Sequence, residues 1–126
     1  LRPGSDRSQR RVDAERAWLG WGDTHNIAVQ IFRLPGIYGP GRSAVDQVKA
    51  GKARRISKPG HVFSRIHVED IATTVAASIA RPEAGGIYNV CDDEPAAPSE
   101  VTAYVCELLG LELPPEIPYD EAERFR

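Results

Sequence analysis

The sequence predicts an α/β fold, because segments typical of buried strands alternate along the chain with segments of helical periodicity. The clearest strand covers residues 28–33, which are rich in β-branched and aromatic types and are soon followed by a Pro-Gly pair. The clearest helix begins near Glu69, where apolar residues recur every three or four positions. The predicted strands are few and short for a complete sheet, so we expect this chain to be part of a larger fold.

Composition and charge argue against several classes of protein. The chain has 126 residues, of which 41% are hydrophobic, an ordinary value for a globular protein. Its 16 basic and 18 acidic residues leave a net charge of -2, so no strong field favours nucleic acid or an anionic membrane surface. No apolar run is long enough to span a bilayer. Two cysteines without metal-ligand spacing favour a cytoplasmic protein with no metal site, and both are expected to be buried as small hydrophobic residues.

The first predicted helix covers about residues 6–18 and is rich in arginine. Its apolar side chains recur at helical spacing and include Trp18 and Trp21, which we expect to anchor a core. Gly20 and Gly22 are expected to end the helix. Because the sequence contains no methionine, we also expect that the true N-terminus lies upstream of its first residue.

Short elements are predicted for the middle of the chain. A helix covers about residues 44–50, and Ser43 is placed to cap its first turn. Residues 53–57 and 62–67 are predicted strands, separated by the turn Lys58-Pro59-Gly60. At least one of them is expected to be an edge strand, because their apolar content is low.

The last third of the chain continues the alternation. The helix that begins near Glu69 is expected to end at Arg81-Pro82, and residues 86–90 are the next predicted strand. A further helix begins at Pro98-Ser99 and ends at Gly110, where glycine suits a C-cap. A proline-rich tail follows, with a possible last helix from Asp120.

The loop after the strand at residues 28–33 is the first place to look for function, since ligands of open α/β sheets bind beyond the carboxyl ends of strands. Gly36, Gly39 and Gly41 in this loop are similar in spacing to a dinucleotide-binding fingerprint. Pro35 and Pro40 argue against a phosphate cradle, however, because they remove amide donors. The sequence favours a proline-stiffened loop that lines a site or merely turns the chain.

Three motifs in a fixed order carry a family resemblance: RLPGIYGP at residues 33–40, RIHVEDIA at residues 65–72 and GIYNVCD at residues 86–92. Over about residues 8–98 the chain resembles the carboxyl-terminal half of the extended short-chain dehydrogenase/reductase superfamily, the NAD-dependent nucleotide-sugar epimerases and dehydratases. The resemblance implies the C-terminal half of a Rossmann-like doubly wound parallel sheet plus a small substrate-binding subdomain.

The resemblance also divides the single partial domain of residues 1–126 into two sets of elements. Residues 6–42 and 68–90 would belong to the Rossmann sheet, and residues 43–67 and 91–126 to the substrate-side subdomain. It implies NAD or NADP as cofactor, with the nicotinamide beside four residues of the first motif: Pro35, Gly36, Ile37 and Tyr38.

Three side chains are candidates for binding the substrate, which the resemblance implies to be a nucleotide sugar or a related compound. Arg42 and Arg65 suit an anionic ligand, because a guanidinium binds a diphosphate through two parallel hydrogen bonds. His67 could donate to a substrate phosphate, although a structural histidine that orients its turn through Asp70 is an alternative. The alternative for both arginines is a plain surface position.

Other charged residues have less specific interpretations. Arg33, at the end of a central strand, is expected to be buried and paired with a carboxylate in a structural role. A basic run could contact nucleotide phosphates or a partner, or could be a solvated face; it consists of Lys49, Lys52, Arg54, Arg55 and Lys58. No Asp-x-Asp-x-Asp-Gly frame is present for a cation site at residues 92–94.

The catalytic pair of the superfamily, Tyr-x-x-x-Lys, is not found in the sequence. The residues four positions after the tyrosines are Arg42, Asp92, Leu108 and Glu123. Aligning Glu15 with the glutamate that often follows the lysine puts Arg7 and Arg11 at the two catalytic positions, and arginine cannot act as a general base near neutral pH. We therefore expect the catalytic residues upstream of residue 1, or a divergent protein with altered activity.

The sequence thus predicts a fragment of an NAD(P)-dependent epimerase/dehydratase-like oxidoreductase. A non-catalytic Rossmann-like protein that senses NAD(P)H or binds a partner is the alternative, and a stand-alone interaction domain is a third interpretation. By resemblance, a homodimer is possible.

Overall fold

A computed structural model of the chain describes residues 3–122. Helices and strands alternate through most of this range, which confirms the α/β class. The elements are α1 (Asp6–His25), β1 (Ile31–Arg33), β2 (Gly36–Tyr38), α2 (Ala44–Lys49), β3 (Arg55–Ser57), β4 (Arg65–His67), α3 (Val68–Ala80), β5 (Ile87–Asn89), α4 (Pro98–Leu109), β6 (Glu116–Pro118) and α5 (Tyr119–Ala122).

Within residues 3–122 the six strands form three parallel pairs, β1 with β5, β2 with β4, and β3 with β6. Parallel partners need a long crossover between them, and each of these pairs joins strands that are far apart in sequence. In the first pair Phe32 lies opposite Tyr88, and their rings stack with centroids 5.7 Å apart. Short parallel strands with intervening helices are what the Rossmann-like prediction requires.

The chain divides into two compact units. One consists of Leu1–Arg33 and Asp70–Val90, and the other of Leu34–Glu69 and Cys91–Arg126. The first unit holds α1, β1, β5 and most of α3, and the second holds the remaining elements. The predicted assignment of residues to a Rossmann sheet and a substrate-side subdomain stays a prediction.

The second unit has a small apolar core between α2 and α4. Val48 on α2 packs with Val105 and Cys106 on α4, and all three side chains are buried. The deep burial of Cys106 fits the prediction that the cysteines act as small hydrophobic residues. The same prediction is wrong for Cys91, which is exposed because it lies in the segment just after β5.

Helix α1 is longer than predicted, because neither glycine ends it. It continues past Gly20 and Gly22 to His25 and ends at Asn26, which has the left-handed φ of 53°. The prediction that the two tryptophans anchor a core is also wrong, since Trp18 is 59% exposed and Trp21 is 44% exposed. Helical spacing put both on one face, but it could not show whether any element covers that face.

Two strands were not expected. Gly36–Tyr38, predicted as loop, is β2, and Glu116–Pro118, predicted as a proline-rich tail, is β6. Both are held by backbone pairing with a distant strand, which no local pattern reveals. Conversely, only Ile31–Arg33 of the strand predicted at residues 28–33 is paired.

The predicted helix ends are largely confirmed. Ser43 caps α2 in a reciprocal capping box with Asp46. Helix α3 ends just before Arg81-Pro82, and Gly110 ends α4 with a left-handed φ of 61°. The predicted last helix begins one residue early at Tyr119, and the part of that prediction past residue 122 lies outside the described residues.

Candidate functional site

The pairing of β2 with β4 brings the first two sequence motifs together. Gly36 lies opposite Arg65, and Tyr38 lies opposite His67, in parallel register. The central residue of β4, Ile66, is 3% exposed and anchors this strand in the second unit. The residues predicted to bind the cofactor and two of those predicted to bind the substrate are therefore neighbours on paired strands.

The four predicted cofactor residues differ in exposure. Pro35 and Tyr38 are half-buried, whereas Gly36 and Ile37 are exposed. Gly36 has room beside it, since a Cβ added there would meet only Ser64 O at 3.8 Å and Arg65 Cγ at 4.0 Å. An exposed apolar side chain and an open stretch of backbone can together contact a flat ring of a ligand.

Tyr38 and His67 form one side of this strand pair. Their ring centroids are 5.1 Å apart in an edge-to-face arrangement. Beside this pair, the backbone at Gly39 packs closely against Val68, because a Cβ added at Gly39 would lie only 2.7 Å from Val68 Cγ1. At this position the sequence needs glycine for packing and not for phosphate binding.

His67 is oriented by the start of α3. The backbone N–H of Glu69 donates to His67 Nδ1 at 3.3 Å, whereas the alternative interpretation named Asp70 as the orienting partner. An Nδ1 that accepts a hydrogen bond leaves the proton of the neutral ring on Nε2. His67 can therefore present a donor to a ligand, with the Glu69 carboxylate 4.0 Å from Nδ1.

Arg42 lies at the end of a tight turn. Gly39 and Arg42 exchange backbone hydrogen bonds of 3.3 and 3.0 Å across Pro40-Gly41. Gly41 has a φ of 76°, which L side chains rarely adopt. The turn leaves the Arg42 side chain exposed, close in sequence to β2 and not among the residues that line the groove described below.

Arg65 is fixed by two backbone carbonyls. Its Nη1 donates to Phe63 O and to Ala96 O, both at 3.1 Å. Phe63 and Ala96 also form an antiparallel bridge, and the N–H of Asp92 donates to Arg65 O at 2.7 Å. Arg65 is thus both a candidate ligand-binding group and the clamp that ties the segment before α4 to β4.

A groove of about 310 Å³ lies between α2, the segment before β3 and the first turn of α4. We call it the basic groove, because Lys52, Arg54 and Arg65 line it and none of the described residues that line it is acidic. Gln47 and Thr102 are its uncharged polar residues. Neither residue was predicted to line a site, because helical periodicity in the sequence does not show which neighbouring element a polar side chain faces.

The basic run noted in the sequence is divided by the structure. Lys52 and Arg54 line the basic groove, whereas Arg55 pairs with Glu116 at 2.9 Å. Lys58 lies over the Tyr119 ring, with Nζ 4.1 Å from the ring centroid. Only part of the run therefore borders the groove.

The prediction that Arg33 pairs with a carboxylate is confirmed, but Arg33 is half-buried and not buried, because it lies on a short strand with one paired neighbour among the described strands. Its Nε and Nη2 donate to the two carboxylate oxygens of Glu15 at 2.9 and 2.7 Å. The hydrogen bonds from Arg33 hold the pKa of Glu15 below its ordinary value. In the first unit, this pair joins α1 to β1.

Residues 3–122 contain neither a candidate metal site nor a helix that could span a membrane. No group of three or more His, Cys, Asp or Glu side chains is arranged to hold a metal ion there. Among the same residues, no helix combines the length and the apolar character needed to cross a membrane.

Comparisons with known proteins give both sequence relatives and structural neighbours. No family model matches the chain. Protein YeeZ from Escherichia coli K12 is 36% identical over 112 residues, which are 85% of this chain and 37% of that protein. The structure of a functionally unknown conserved protein from Silicibacter pomeroyi has 53% identity and a TM-score of 0.88 over 98% of this chain and 43% of that one.

Two characterised enzymes have the same fold at lower identity. The dTDP-glucose 4,6-dehydratase of Bacillus anthracis, in complex with NAD, has a TM-score of 0.76 and 21% identity over 94% of this chain and 41% of that one. The UDP-glucose 4-epimerase of Thermus thermophilus, also with NAD, has a TM-score of 0.73 and 24% identity over 93% and 42%. The chain spans about two fifths of the length of each of these four proteins.

Proposed function

We propose that this chain is the carboxyl-terminal part of an NAD(P)-dependent oxidoreductase. It has the fold of the NAD-dependent nucleotide-sugar epimerases and dehydratases, which belong to the extended short-chain dehydrogenase/reductase superfamily. Its substrate would be a nucleotide sugar or a related carbonyl or alcohol compound. The observation that supports the proposal is the parallel register of β2 with β4, which puts the motif proposed to contact the cofactor beside the motif proposed to bind the substrate. Hydride transfer needs a nicotinamide and a substrate side by side.

In this proposal Pro35, Gly36, Ile37 and Tyr38 form a wall beside the nicotinamide of NAD or NADP. The open backbone at Gly36 and the exposed Ile37 side chain support this assignment, because the nicotinamide ring is flat and largely apolar on its faces. Proline before the strand fixes φ and so helps to hold the wall in one conformation before the cofactor binds.

Arg42, Arg65 and His67 would bind the substrate. Arg65 is held by two carbonyls through Nη1, so its remaining donors keep a fixed direction. His67 would donate from Nε2 to a substrate oxygen, since its Nδ1 is occupied by the Glu69 amide. Arg42 would supply a second cation from its exposed turn.

The proposal is tested by titrating NADH and NADPH into the complete protein and following fluorescence. We expect binding of at least one cofactor, and a loss of about tenfold in affinity for Ile37→Asp, because a carboxylate would be placed against an apolar ring face. Val62→Asp is the matched control, since Val62 is also an exposed aliphatic residue of the second unit and lies outside the motif. A folded protein that binds neither cofactor, or equal effects of the two variants, would contradict the proposal.

A non-catalytic protein that senses NAD(P)H or binds a partner is the second candidate. It is favoured by the exposed Arg7 and Arg11 on α1. Arg11 lies one helical turn before Glu15, and Arg7 lies one turn before Arg11. If Glu15 matches the glutamate after the catalytic lysine, these arginines occupy the tyrosine and lysine positions and cannot transfer the proton. Cofactor binding without turnover of any UDP-sugar or dTDP-sugar would support this candidate over the enzyme.

A further inference from the structure

Gly36, the first residue of β2, is a glycine that the local structure does not require. Its φ is not positive, whereas Gly41 has a φ of 76°. A Cβ added at Gly36 would lie 3.8 Å from Ser64 O and 4.0 Å from Arg65 Cγ, which are ordinary van der Waals distances, unlike the 2.7 Å contact at Gly39. Glycine in a strand also costs backbone entropy and leaves no side chain to pack. Neither backbone conformation nor packing therefore explains glycine at this position.

Glycine inside a strand commonly marks a bulge, a close approach of another backbone, or a close approach of a ligand. A bulge is not present, because β2 and β4 pair residue for residue from Gly36 opposite Arg65 to Tyr38 opposite His67. The nearest backbone atom among the described residues, Ser64 O, is at a distance that any residue tolerates. A ligand close to the Gly36 backbone is the interpretation that remains.

Gly36 shares one face of this strand pair with three side chains of the proposed site. Side chains alternate between the two faces of a strand, so Gly36 and Tyr38 lie on the same face. Their partners in the register, Arg65 and His67, lie on that face too, and the 5.1 Å distance between the Tyr38 and His67 rings agrees with this. The missing side chain leaves an open space beside Gly36, Ser64 O and Arg65 Cγ, which we call the Gly36 gap.

The surroundings of the Gly36 gap suit a ring that carries several oxygen atoms. Arg65 is held through Nη1 by two carbonyls, which gives its other N–H donors a fixed direction. His67 accepts the Glu69 N–H at Nδ1, so its neutral ring presents a donor at Nε2. The methylene groups of Arg65 and the backbone of Gly36 are apolar enough to pack against C–H groups of such a ring.

We propose that the Gly36 gap receives the sugar ring of the substrate, and that glycine at this position sets how large a group the site accepts. This inference rests on the proposed function and narrows its substrate class to compounds that carry a sugar. The wall proposed for the nicotinamide and the residues proposed for the substrate meet at Gly36. Hydride transfer requires the reacting carbon of the substrate at such a meeting point.

Calorimetric titration of the complete protein with UDP-glucose and dTDP-glucose, each compared with its nucleoside diphosphate, tests the inference. We expect at least one sugar nucleotide to bind about tenfold more tightly than its diphosphate. Gly36→Ala is expected to remove this advantage, because the added methyl group occupies the place of the ring, and to leave the affinity for the diphosphate unchanged. Gly20→Ala is the matched control, since its Cβ also has room but lies on α1 of the first unit; it should change no affinity.

Thermal melting separates a role in binding from a role in folding. We expect Gly36→Ala to melt no lower than the wild type, because its Cβ fits at ordinary distances and alanine loses less backbone entropy than glycine. A lower melting temperature would show that the fold needs glycine here, and would overturn the inference.

The binding results that would overturn the inference are equally defined. They are a sugar nucleotide that never binds more tightly than its diphosphate, an advantage that survives Gly36→Ala, or a loss that the diphosphate shares. A loss of NADH binding in place of sugar-nucleotide binding would assign the Gly36 gap to the cofactor and leave the oxidoreductase proposal intact. The expected sugar-nucleotide results in a protein that binds neither NADH nor NADPH would instead reject the oxidoreductase proposal and keep the assignment of the gap.

Discussion

Among single residues, Glu15 and Arg33 form the best defined polar contact of the first unit. Both oxygens of Glu15 accept from Arg33, and the two side chains are only 20% and 30% exposed. The hydrogen bonds from Arg33 outweigh the effect of desolvation and hold the pKa of Glu15 below its ordinary value of 4.5. The ionised carboxylate is therefore bound more strongly in the folded state than the protonated one.

Replacing Glu15 with glutamine should make stability less dependent on pH. A carboxylate whose folded-state pKa is lowered contributes stability that is present above its unfolded-state pKa and is lost as pH falls through the folded-state pKa. We expect the wild type to melt at a higher temperature than Glu15→Gln at about pH 7, and the difference to shrink as pH falls below the ordinary pKa of 4.5 and through the lowered folded-state pKa. Melting curves followed by circular dichroism across this range measure the effect.

Asp13→Asn is the matched control for this prediction. Asp13 is on the same helix and lies 3.9 Å from Arg16, but both side chains are well exposed. Exposed pairs contribute little, so this variant should melt like the wild type at every pH. A constant gap between wild type and Glu15→Gln from neutral to acid pH would show that the charge is not the source of stability.

At the level of elements, Gly22 sets how closely α1 approaches the chain that follows it. A Cβ at Gly22 would lie 2.6 Å from Val29 Cγ2 and 2.8 Å from Ile27 O. A carbonyl of the backbone cannot move aside as a flexible side chain can. Gly20, on the same helix, has nothing within 4 Å of its added Cβ.

Alanine at these two glycines should have opposite effects on stability. Gly20→Ala is expected to stabilise by about 0.5–1 kcal/mol, because alanine loses less backbone entropy in a helix. Gly22→Ala is expected to destabilise by about 1–3 kcal/mol, because the overpacking outweighs the same gain. Urea denaturation measures both, and a stabilising effect of Gly22→Ala would contradict the close approach.

Helix α2 depends on its N-terminal cap. Ser43 Oγ accepts from the Asp46 N–H at 3.2 Å, and Asp46 Oδ2 accepts from the Ser43 N–H at 2.8 Å. Ser43→Ala removes the first of these bonds and is expected to cost about 1 kcal/mol in urea denaturation. Ser43→Thr keeps a hydroxyl at the cap and should cost much less; equal costs for the two variants would mean that the hydroxyl is not the capping group.

For the whole molecule, the exposed aromatic face of α1 bears on the possible homodimer. The rings of Trp18 and Trp21 lie 5.9 Å apart edge to face, and Trp21 stacks on His25 at 4.6 Å. Two large exposed indoles on one helix form an apolar patch of the kind found at protein interfaces. The oligomeric state of the complete protein stays a prediction.

We expect the complete protein to be a dimer in solution, and the double variant Trp18→Gln and Trp21→Gln to shift it toward the monomer. Light scattering coupled to gel filtration measures the mass. Tyr104→Gln with Leu108→Gln is the matched control, since both residues are exposed and apolar on α4 of the second unit. A monomeric wild type would contradict the predicted dimer. A dimer that survives the tryptophan variant but not the control would show that the interface is not on this face of α1.

The extent of each element was less predictable than its type. Helix α3 was predicted well because its apolar period and Arg81-Pro82 are local signals. Strand β2 was not, because Gly36–Tyr38 has little strand character of its own and is held by β4. Helix α1 passed Gly20 and Gly22 because the cost of one glycine in a helix is small, and at Gly22 glycine also permits close packing against Val29.

The candidate site was predicted in part. The motifs identified Gly36, Tyr38, Arg65 and His67, whose roles in binding stay predictions, but only the register of two strands makes them neighbours. The partners of Arg65 were not predictable, since one of its two acceptors, Ala96 O, is 31 residues away along the chain. The division of the basic run between groove and surface likewise depends on where α4 packs.

The sequence by itself determined the α/β class, the caps at Ser43 and Gly110, and the family resemblance, because periodicity, capping residues and motifs are local properties of the chain. The tertiary structure alone decided that Gly36–Tyr38 is a strand, that Trp18 is exposed, and that three cations border one groove. These features arise where segments far apart in sequence meet. The free energy of such contacts depends on both segments, so it cannot be predicted from the sequence of either one alone.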